Sequence, residues 1–484
     1  MTIARSFAFS LLQNYGTTVI AFVSSMFIAR ILTPDEIGVF SLGAAFIAIS
    51  HAFRDFGVSS YVVQERELTD EKVAAALRIA FVISWLIAIL VFLAGFLAHR
   101  LYQDERVEQV LHLLAVNFLL LPLSSVGMAL LRRAMSFGKI CIINIVAALL
   151  QAVVSVFFAL QGFSYLSLVA GAIVSTVATV LLTLYFVSMR RFMATTLSAV
   201  KSVIRKTGSL SANSVLYEFG VAFPEMVIGK AIGFSAVSYF SKALSTLDVV
   251  DKIVLGALRP ILLPYLSEIS RQRKIEDSDV NNLLSFPLAV TWPLLLFIAV
   301  NADMIILFLF GEQWGEAAAL VPVLCVAAAI KNIISVTSPI IIANGDYKMA
   351  LRYQVINQVF RIVAILIGAS FSLVGVCIAV VVSEVFAASW IMRFITKAYD
   401  LSARLLLITL FKLFLMQLAL ILLAVVFYSQ IAQLSMGAFF DILIFSVLFT
   451  LLWLIMLRLT NSPVYPFLSK WAYKLIVMPI RRVL

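Results

Sequence analysis

The sequence predicts an all-α integral membrane protein with about 14 transmembrane helices. Of its 484 residues, 63% are hydrophobic and 13% are charged, whereas a soluble domain has about 25% charged residues. Apolar segments of bilayer-spanning length, about 20 residues each, follow one another along the chain. Lys and Arg concentrate in alternate connections between these segments. These three observations exclude a soluble globular domain.

Charge clusters and Pro or Gly residues separate the apolar segments. Six segments precede a polar, basic connection from Arg190 to Lys206, six follow it, and two come after the connection at 397–404. The first segment is too long for a signal-peptide core and lacks a small-residue cleavage site, so we expect it to be retained. The segments lie near 9–30, 37–62, 74–98, 107–130, 140–161, 164–189, 210–230, 234–264, 281–309, 317–343, 351–371, 374–396, 405–428 and 437–457.

The connections also predict the orientation of the spans. One alternate set of connections holds 24 Lys and Arg residues and the other holds 4. Cytoplasmic loops carry the excess of Lys and Arg. The asymmetry therefore predicts that both termini are cytoplasmic and that the number of spans is even.

An internal repeat appears when the chain is shifted by 200 residues. The matching positions lie at the junction between the first two helices of each half: Arg30 with Lys230, Ile37 with Val237, and Phe40 with Phe240. Six helices per half give parallel repeats around an axis along the membrane normal. We expect two pseudo-symmetric six-helix lobes around a central cleft, at residues 1–195 and 196–400, with two additional helices and a cytoplasmic tail at 401–484.

Several kinds of chemistry find no support in the sequence. Cys141, Cys325 and Cys377 fall in apolar runs without CxxC spacing, so neither a disulfide nor a zinc site is indicated. The three histidines are scattered, which argues against a metal site, and the motifs of nucleotide-binding proteins, serine hydrolases and zinc proteases are missing. The net charge of +11 comes from loops beside apolar runs, so it does not indicate nucleic-acid binding.

Cationic side chains inside apolar segments indicate a binding site, because an ionisable group at membrane depth is costly unless it is paired or solvated. His51, Arg54 and Asp55 share one face of the second span, and Asp248, Lys252 and Arg259 share one stripe of the eighth. Structural ion pairs, such as Asp248 with Lys252 or Arg54 with Asp55, are the alternative. The candidate substrate-binding residues are Arg54, Lys242, Lys252, Arg259, Lys331 and Arg361.

This cationic set favours an anionic substrate. Arg recognises phosphate through two parallel hydrogen bonds, whereas Lys acts as a point charge. A diphosphate head group would suit both residue types.

Three carboxylates form a second candidate set. Glu218 and Glu225 are seven residues apart and share a face of the seventh span, which we expect Pro224 to break, and Glu384 lies in the twelfth span. A buried carboxylate beside freed backbone carbonyls is a candidate site for a coupling proton or sodium ion. An ion pair with Arg361 or Lys331 is the alternative.

Two local motifs carry a family resemblance. Leu32, Pro34, Gly38 and Phe40 form an L-x-P-x-x-x-G-x-F element that we expect in a tight connection between two helices, and Asp55, Phe56 and Gly57 form D-F-G. The chain resembles the Wzx-type polysaccharide, O-antigen and exopolysaccharide flippases of the multidrug/oligosaccharidyl-lipid/polysaccharide exporter superfamily. The span count and the paired halves extend the resemblance over the whole chain.

The resemblance implies a flippase of the bacterial inner membrane, not an enzyme. Its substrate would be an undecaprenyl-diphosphate-linked oligosaccharide, moved from the cytoplasmic to the periplasmic leaflet by ion-coupled alternating access. Members line their cavities with basic residues on helices comparable to those of Arg54, Lys252 and Arg259. No cofactor is implied beyond the coupling ion, and the partners would be membrane lipid and polysaccharide-assembly proteins.

Three other classes of membrane protein are compatible with parts of the sequence. A multidrug antiporter of the same superfamily would share the span count, although cationic drugs call for an acidic or aromatic cavity. A membrane glycosyltransferase or polymerase would usually need a large hydrophilic loop, and no connection here exceeds about 20 residues. A non-transporting scaffold would give no reason for charges at membrane depth.

The predicted orientation can be tested by cysteine labelling. A Ser198→Cys variant in a background lacking the native cysteines should react with a membrane-impermeant maleimide only after the cells are opened, because the Arg190 to Lys206 connection is expected in the cytoplasm. Labelling of this position in intact spheroplasts would contradict the orientation.

Overall fold

The computed structural model describes residues 3–55, 57–188, 200, 203, 212–431 and 438–459, and within this part the chain is helical, without strands. Most of the Arg190 to Lys206 connection, the tail after 459, and the side chains of Asp55 and Arg259 lie outside the description. The α-helices are α1 Ile3–Ile31, α2 Pro34–Asp55, α3 Val58–Gln64, α4 Asp70–Tyr102, α5 Glu105–Arg133, α6 Phe137–Leu160, α7 Leu166–Phe186, α8 Ala212–Ala231, α9 Phe234–Gln272, α10 Asp277–Val300, α11 Ala302–Phe310, α12 Gly315–Ala343, α13 Tyr347–Ala369, α14 Leu373–Ala398, α15 Ala403–Ile431 and α16 Ala438–Leu459.

Among the described residues, 11 helices are long and apolar enough to cross a membrane. They are α1, α2, α4 to α7, α10 and α12 to α15. The predicted all-α membrane fold is therefore confirmed. Each of these helices satisfies its own backbone hydrogen bonds, which a spanning segment must do in the absence of water.

The chain forms two compact units. Unit 1 comprises residues 1–241 and 365–376, and unit 2 comprises residues 242–364 and 377–484. In unit 1, α5 packs against α4 and α7, α6 packs against α1 and α7, and α2 packs against α8. In unit 2, α10 packs against α12 and α15. The lobe boundaries at 195 and 400 come from the sequence alone and remain predictions.

Each unit has its own buried core. Leu42, Leu111 and Phe118 are fully buried at the centre of unit 1. In unit 2, Leu284 and Leu288 of α10 are fully buried. Two indole groups also fasten helices in unit 2, because the Trp292 Nε1 donates to Ala329 O at 3.0 Å and the Trp453 Nε1 donates to Ala289 O at 2.9 Å.

The second predicted span is interrupted. We expected one helix over 37–62, but α2 ends at Asp55 and α3 begins at Val58. Gly57 has φ +73°, in the left-handed region, which glycine adopts without steric cost. The glycine of the D-F-G motif is therefore the hinge between two helices, and the single-helix prediction is wrong here.

Gly38 lies inside α2 and not in a connection, so this part of the prediction is also wrong. A Cβ atom at position 38 would overlap the backbone carbonyl of Phe234, the first residue of α9. Glycine is needed because two backbones approach each other closely. Positions 34 and 234 correspond in the 200-residue repeat, so the matching helix beginnings meet within unit 1.

A charged cluster surrounds this meeting point. The Arg106 guanidinium contacts Asp35 at 2.6 Å and Asp104 at 2.7 Å, and it lies 5.7 Å from the centre of the Phe234 ring. Burial alone would raise the pKa of the Asp104 carboxyl, but the hydrogen bonds from Arg106 outweigh burial and hold this pKa below its ordinary value. The cluster fastens the beginnings of α2, α5 and α9.

Pro224 does not break its helix. We expected an interruption in the seventh span, but α8 continues from Ala212 to Ala231. A proline removes one backbone hydrogen bond, and a membrane helix can tolerate this loss when neighbouring groups compensate.

Candidate functional site

A polar cavity of about 690 Å³ lies within unit 1. Its walls come from the last turns of α2, from α3, from the second half of α5 and from α8. Its size falls within the range of about 300 to 1,000 Å³ that is usual for ligand pockets. The polar side chains that line it are His51, Arg54, Ser59, Ser60, Ser124, Ser125, Arg132 and Glu218.

The charge of this cavity is cationic. Among the described lining residues, the guanidinium groups of Arg54 and Arg132 outnumber the single carboxylate of Glu218. The His51 ring packs on Phe118 with 4.9 Å between ring centres. Arg54 and Arg132 offer planar donor groups, and the serine oxygens offer additional polar contacts. The arrangement suits an anion with several oxygen acceptors.

The local sequence explains why α2 and α3 form one wall. Arg54 lies in the last turn of α2, where a cation is favoured by the helix dipole. Gly57 then turns the chain, so Ser59 and Ser60 of α3 line the same cavity as Arg54. The D-F-G motif therefore shapes the site through its glycine.

Arg133 holds α3 in place. Its guanidinium donates to the backbone carbonyls of Val62, Val63, Glu65 and Arg66, which follow or form the end of α3. These carbonyls have no partners within the short helix. The neighbouring arginines at the end of α5 thus have different surroundings: Arg132 lines the cavity and Arg133 caps a helix.

Two of the predicted site residues meet in this cavity. Arg54 was predicted to bind substrate and Glu218 to bind a coupling ion, and both line it. Glu225 lies two turns further along α8, where the Ser241 hydroxyl is its hydrogen-bond partner. The structure therefore places one predicted cation beside one predicted carboxylate.

The other predicted cations lie in unit 2. Lys242 is buried, with its ammonium 4.9 Å from the centre of the Phe310 ring and 5.5 Å from that of Trp314. Lys252 is exposed and Lys331 is half-buried. Within the described residues, Asp248 and Lys252 form no ion pair with each other.

Arg361 and Glu384 form an ion pair in unit 2. The Arg361 Nη1 donates to Glu384 Oε1 at 3.2 Å, and the two side chains are 17% and 8% exposed. This is the contact that the sequence left open as the alternative to ion coupling by Glu384. Removing one member would leave a buried charge without its partner, which costs several kcal/mol.

Arg132 and the serines of the cavity were not predicted as site residues from the sequence. Arg132 was counted only as one of the cations that set the orientation. Its position in the sequence could have indicated a site residue, because Arg132 lies directly after an apolar segment and next to a second arginine. Ser59, Ser60, Ser124 and Ser125 carry no charge, so hydropathy and charge patterns do not distinguish them from packing residues.

The helical architecture of this chain is similar to that of a solved membrane protein. The structure titled "Lipid II flippase MurJ, inward closed conformation" superimposes with a TM-score of 0.74 at 13% sequence identity, over 94% of this chain and 98% of that chain. At this identity the likeness shows the fold alone.

Relatives in sequence show which kinds of membrane protein this chain is similar to. The chain is 26% identical over 345 residues to the succinoglycan biosynthesis transport protein ExoT of Rhizobium meliloti (strain 1021), covering 70% of this chain and 68% of that protein. It is 20% identical over 343 residues to the lipopolysaccharide biosynthesis protein WzxC of Escherichia coli (strain K12), with 70% of each chain covered.

The model of the family described as "Polysaccharide biosynthesis protein" matches residues 27–319, and the chain belongs to this family. The resemblance to Wzx-type proteins that the motifs of α2 indicated is confirmed.

The two neighbouring arginines provide a matched test of the cavity. An Arg132→Gln variant should bind inorganic pyrophosphate about tenfold more weakly, because a charged hydrogen bond contributes roughly 1.5–3 kcal/mol. An Arg133→Gln variant should keep its affinity but unfold at a lower temperature, because α3 loses its cap. Calorimetric titration and thermal unfolding of the purified proteins measure both effects. Equal losses of affinity in both variants would show that Arg132 has no special role.

Proposed function

We propose that this chain is a flippase that moves undecaprenyl-diphosphate-linked oligosaccharide units from the cytoplasmic to the periplasmic leaflet of the bacterial inner membrane. It acts as a transporter and not as an enzyme. The observation that carries the proposal is the cationic cavity between α2, α3, α5 and α8. Membership of the polysaccharide biosynthesis family supports the same function.

The diphosphate group explains the composition of the cavity. Two guanidinium groups can each offer paired donors to phosphate oxygens, and the serine oxygens remain available for sugar hydroxyls. A cationic drug would meet like charges on Arg54 and Arg132 and would be repelled. The cavity therefore favours a lipid-linked anion over the substrate of a multidrug antiporter.

The proposal includes the full predicted topology. Helices α8, α9 and α16 would cross the membrane together with the 11 apolar helices, giving 14 spans, two pseudo-symmetric six-helix lobes and cytoplasmic termini. Charged residues explain why α8 and α9 appear less apolar: α9 alone contains Lys242, Asp248, Asp251, Lys252 and Arg259. Charges on a spanning helix are tolerated when they face protein or a solvated cavity.

Arg54 provides the direct test of transport. An Arg54→Ala variant should abolish flipping of an undecaprenyl-diphosphate-linked disaccharide in proteoliposomes. An Arg54→Lys variant should restore it only in part, since Lys keeps the charge but loses the planar fork. A fluorescent label on the sugar that is quenched from outside reports the rate.

The matched control is Arg271→Ala, which removes a cation whose side chain is 75% exposed. This variant should flip the lipid at the wild-type rate. If Arg54→Ala is equally active at equal reconstitution, Arg54 does not bind the substrate.

For energy coupling, we propose that a proton or sodium ion binds at least one of Glu218, Glu225 and Glu384. The contacts favour Glu218, because it shares the cavity with Arg54 and Arg132. An ion that neutralises this carboxylate would raise the net positive charge of the described cavity lining and so favour the diphosphate. Glu384 already neutralises Arg361, and a structural role would account for it.

Glutamine variants can assign the coupling residue. Glu218→Gln should retain binding of pyrophosphate but lose the dependence of flipping on an imposed proton or sodium gradient, because Gln cannot be ionised. Glu384→Gln should instead lower the unfolding temperature, because Arg361 loses its partner. If Glu218→Gln, Glu225→Gln and Glu384→Gln all keep the wild-type gradient dependence, the coupling ion binds elsewhere.

A further inference from the structure

A second concave surface of unit 1 lies on the other side of α2 from the cationic cavity. It encloses about 920 Å³ between α2, α4 and α8, and Leu111 of α5 and Val200 also line it. All of its described lining residues are apolar except Ser50 and Arg78. The Ser50 hydroxyl donates to Phe46 O at 2.9 Å within its own helix. We call this surface the apolar groove.

One continuous face of α4 forms the floor of the apolar groove. The lining positions recur in pairs one turn apart, from Arg78 and Ile79 to Ala94. This stretch is about 24 Å long at 1.5 Å per residue, which approaches the hydrocarbon thickness of about 30 Å. Ile79 is buried at 5% exposure, whereas Val82 is 68% exposed. The groove thus has a buried base and exposed residues along its length.

The seam between α2 and α8 separates the groove from the cationic cavity. On α2, Phe53 lines the groove and its neighbour Arg54 lines the cavity. On α8, Phe219 lines the groove and its neighbour Glu218 lines the cavity. At two places along the seam, an aromatic residue therefore lines the groove and the charged residue next to it in the chain lines the cavity.

The seam is tight at the end that carries Leu42. Leu42 is fully buried, and a Cβ atom at Gly229 would contact its side chain at 3.4 Å. Towards the arginine end of α2, Phe53 is 51% exposed. The groove wall next to Arg54 is therefore accessible to an apolar chain.

Arg78 lies towards the same end of the groove as Phe53. α4 begins at Asp70, shortly after α3, so its third turn lies towards the end of α2 that carries Arg54. The groove thus has its cation towards the Arg54 end of α2 and apolar residues beyond it. This order matches a lipid with an anionic head and one long hydrocarbon chain.

We propose that the apolar groove binds the polyprenyl chain of the lipid whose diphosphate occupies the cationic cavity. This inference rests on the proposed function and adds the path of the lipid, with the head on one side of the α2–α8 seam and the chain on the other. A membrane phospholipid keeps its head group in the interfacial layer and gains nothing from the cavity. The occupant is therefore the tail of the transported lipid.

Photo-crosslinking tests the location of the tail. A benzophenone amino acid replaces Leu86 in the groove or, as a control, Ile89, which lies outside the lining on the same helix; the two native side chains are 56% and 58% exposed. The probe is an undecaprenyl-diphosphate-linked disaccharide tritiated in the prenyl chain. Label should attach at 86 at least about tenfold more than at 89, a ratio that corresponds to about 1.4 kcal/mol.

Filling the groove tests its part in transport. Leu86→Trp and Val82→Trp add bulk at exposed positions, so both proteins should fold normally and still bind pyrophosphate. Flipping of the disaccharide lipid should fall about tenfold in both, a loss equal to about 1.4 kcal/mol, whereas Ile89→Trp should keep the wild-type rate.

The outcomes separate the two proposals. If the wild-type protein flips the lipid and Leu86→Trp flips it equally well, with equal labelling at 86 and 89, the groove does not hold the tail. Labelling at 86 by a tritiated phospholipid without competition from the disaccharide lipid would also overturn the assignment. If the wild-type protein flips no disaccharide lipid at all, the proposed function fails instead.

Discussion

The structure depends on the cost of leaving backbone polar groups without hydrogen-bond partners. The end of α3 shows this constraint most directly, because Arg133 donates to four backbone carbonyls that the short helix leaves open. This contact joins α3 to α5 and keeps α3 beside the end of α2. Successive helical residues point about 100° apart, so the fixed Arg133 leaves Arg132 to line the cavity. The two neighbouring arginines therefore have separate roles.

The cationic cavity and the apolar groove of unit 1 share α2 as a wall. The contacts that fix one end of α2 therefore help to position both surfaces. Gly38 lets α2 approach the backbone of Phe234, and Arg106 joins Asp35 to the same place. These contacts lie at the opposite end of α2 from Arg54. α2 is thus closely packed at this end, whereas Phe53 near its other end is 51% exposed. The polar and apolar parts of an amphiphile can then occupy its two faces.

The sequence predicts the helices well and the site only in part. Hydropathy and charge identify membrane spans because the cost of burying charge is large and local. The hinge at Gly57 was missed, because a glycine within an apolar run gives no sign of its backbone angle. Arg54 and Glu218 were found as charges within apolar segments, but their proximity depends on the packing of α2 against α8. Arg361 and Glu384 are 23 residues apart, and only helix packing shows that they are paired.

The net charge of the cavity has a consequence for alternating access. Among the described lining residues, two guanidinium groups face one carboxylate, so closing the empty cavity would bury a net positive charge, which costs several kcal/mol. Under the proposed function, a bound diphosphate would offset this charge, so closure around the loaded site would be less costly. A ligand shifts a conformational equilibrium only through such a difference between states. Charge compensation by the substrate could therefore drive the loaded transition, and an ionised Glu218, which offsets one of the two cations, would lower the cost of the empty return.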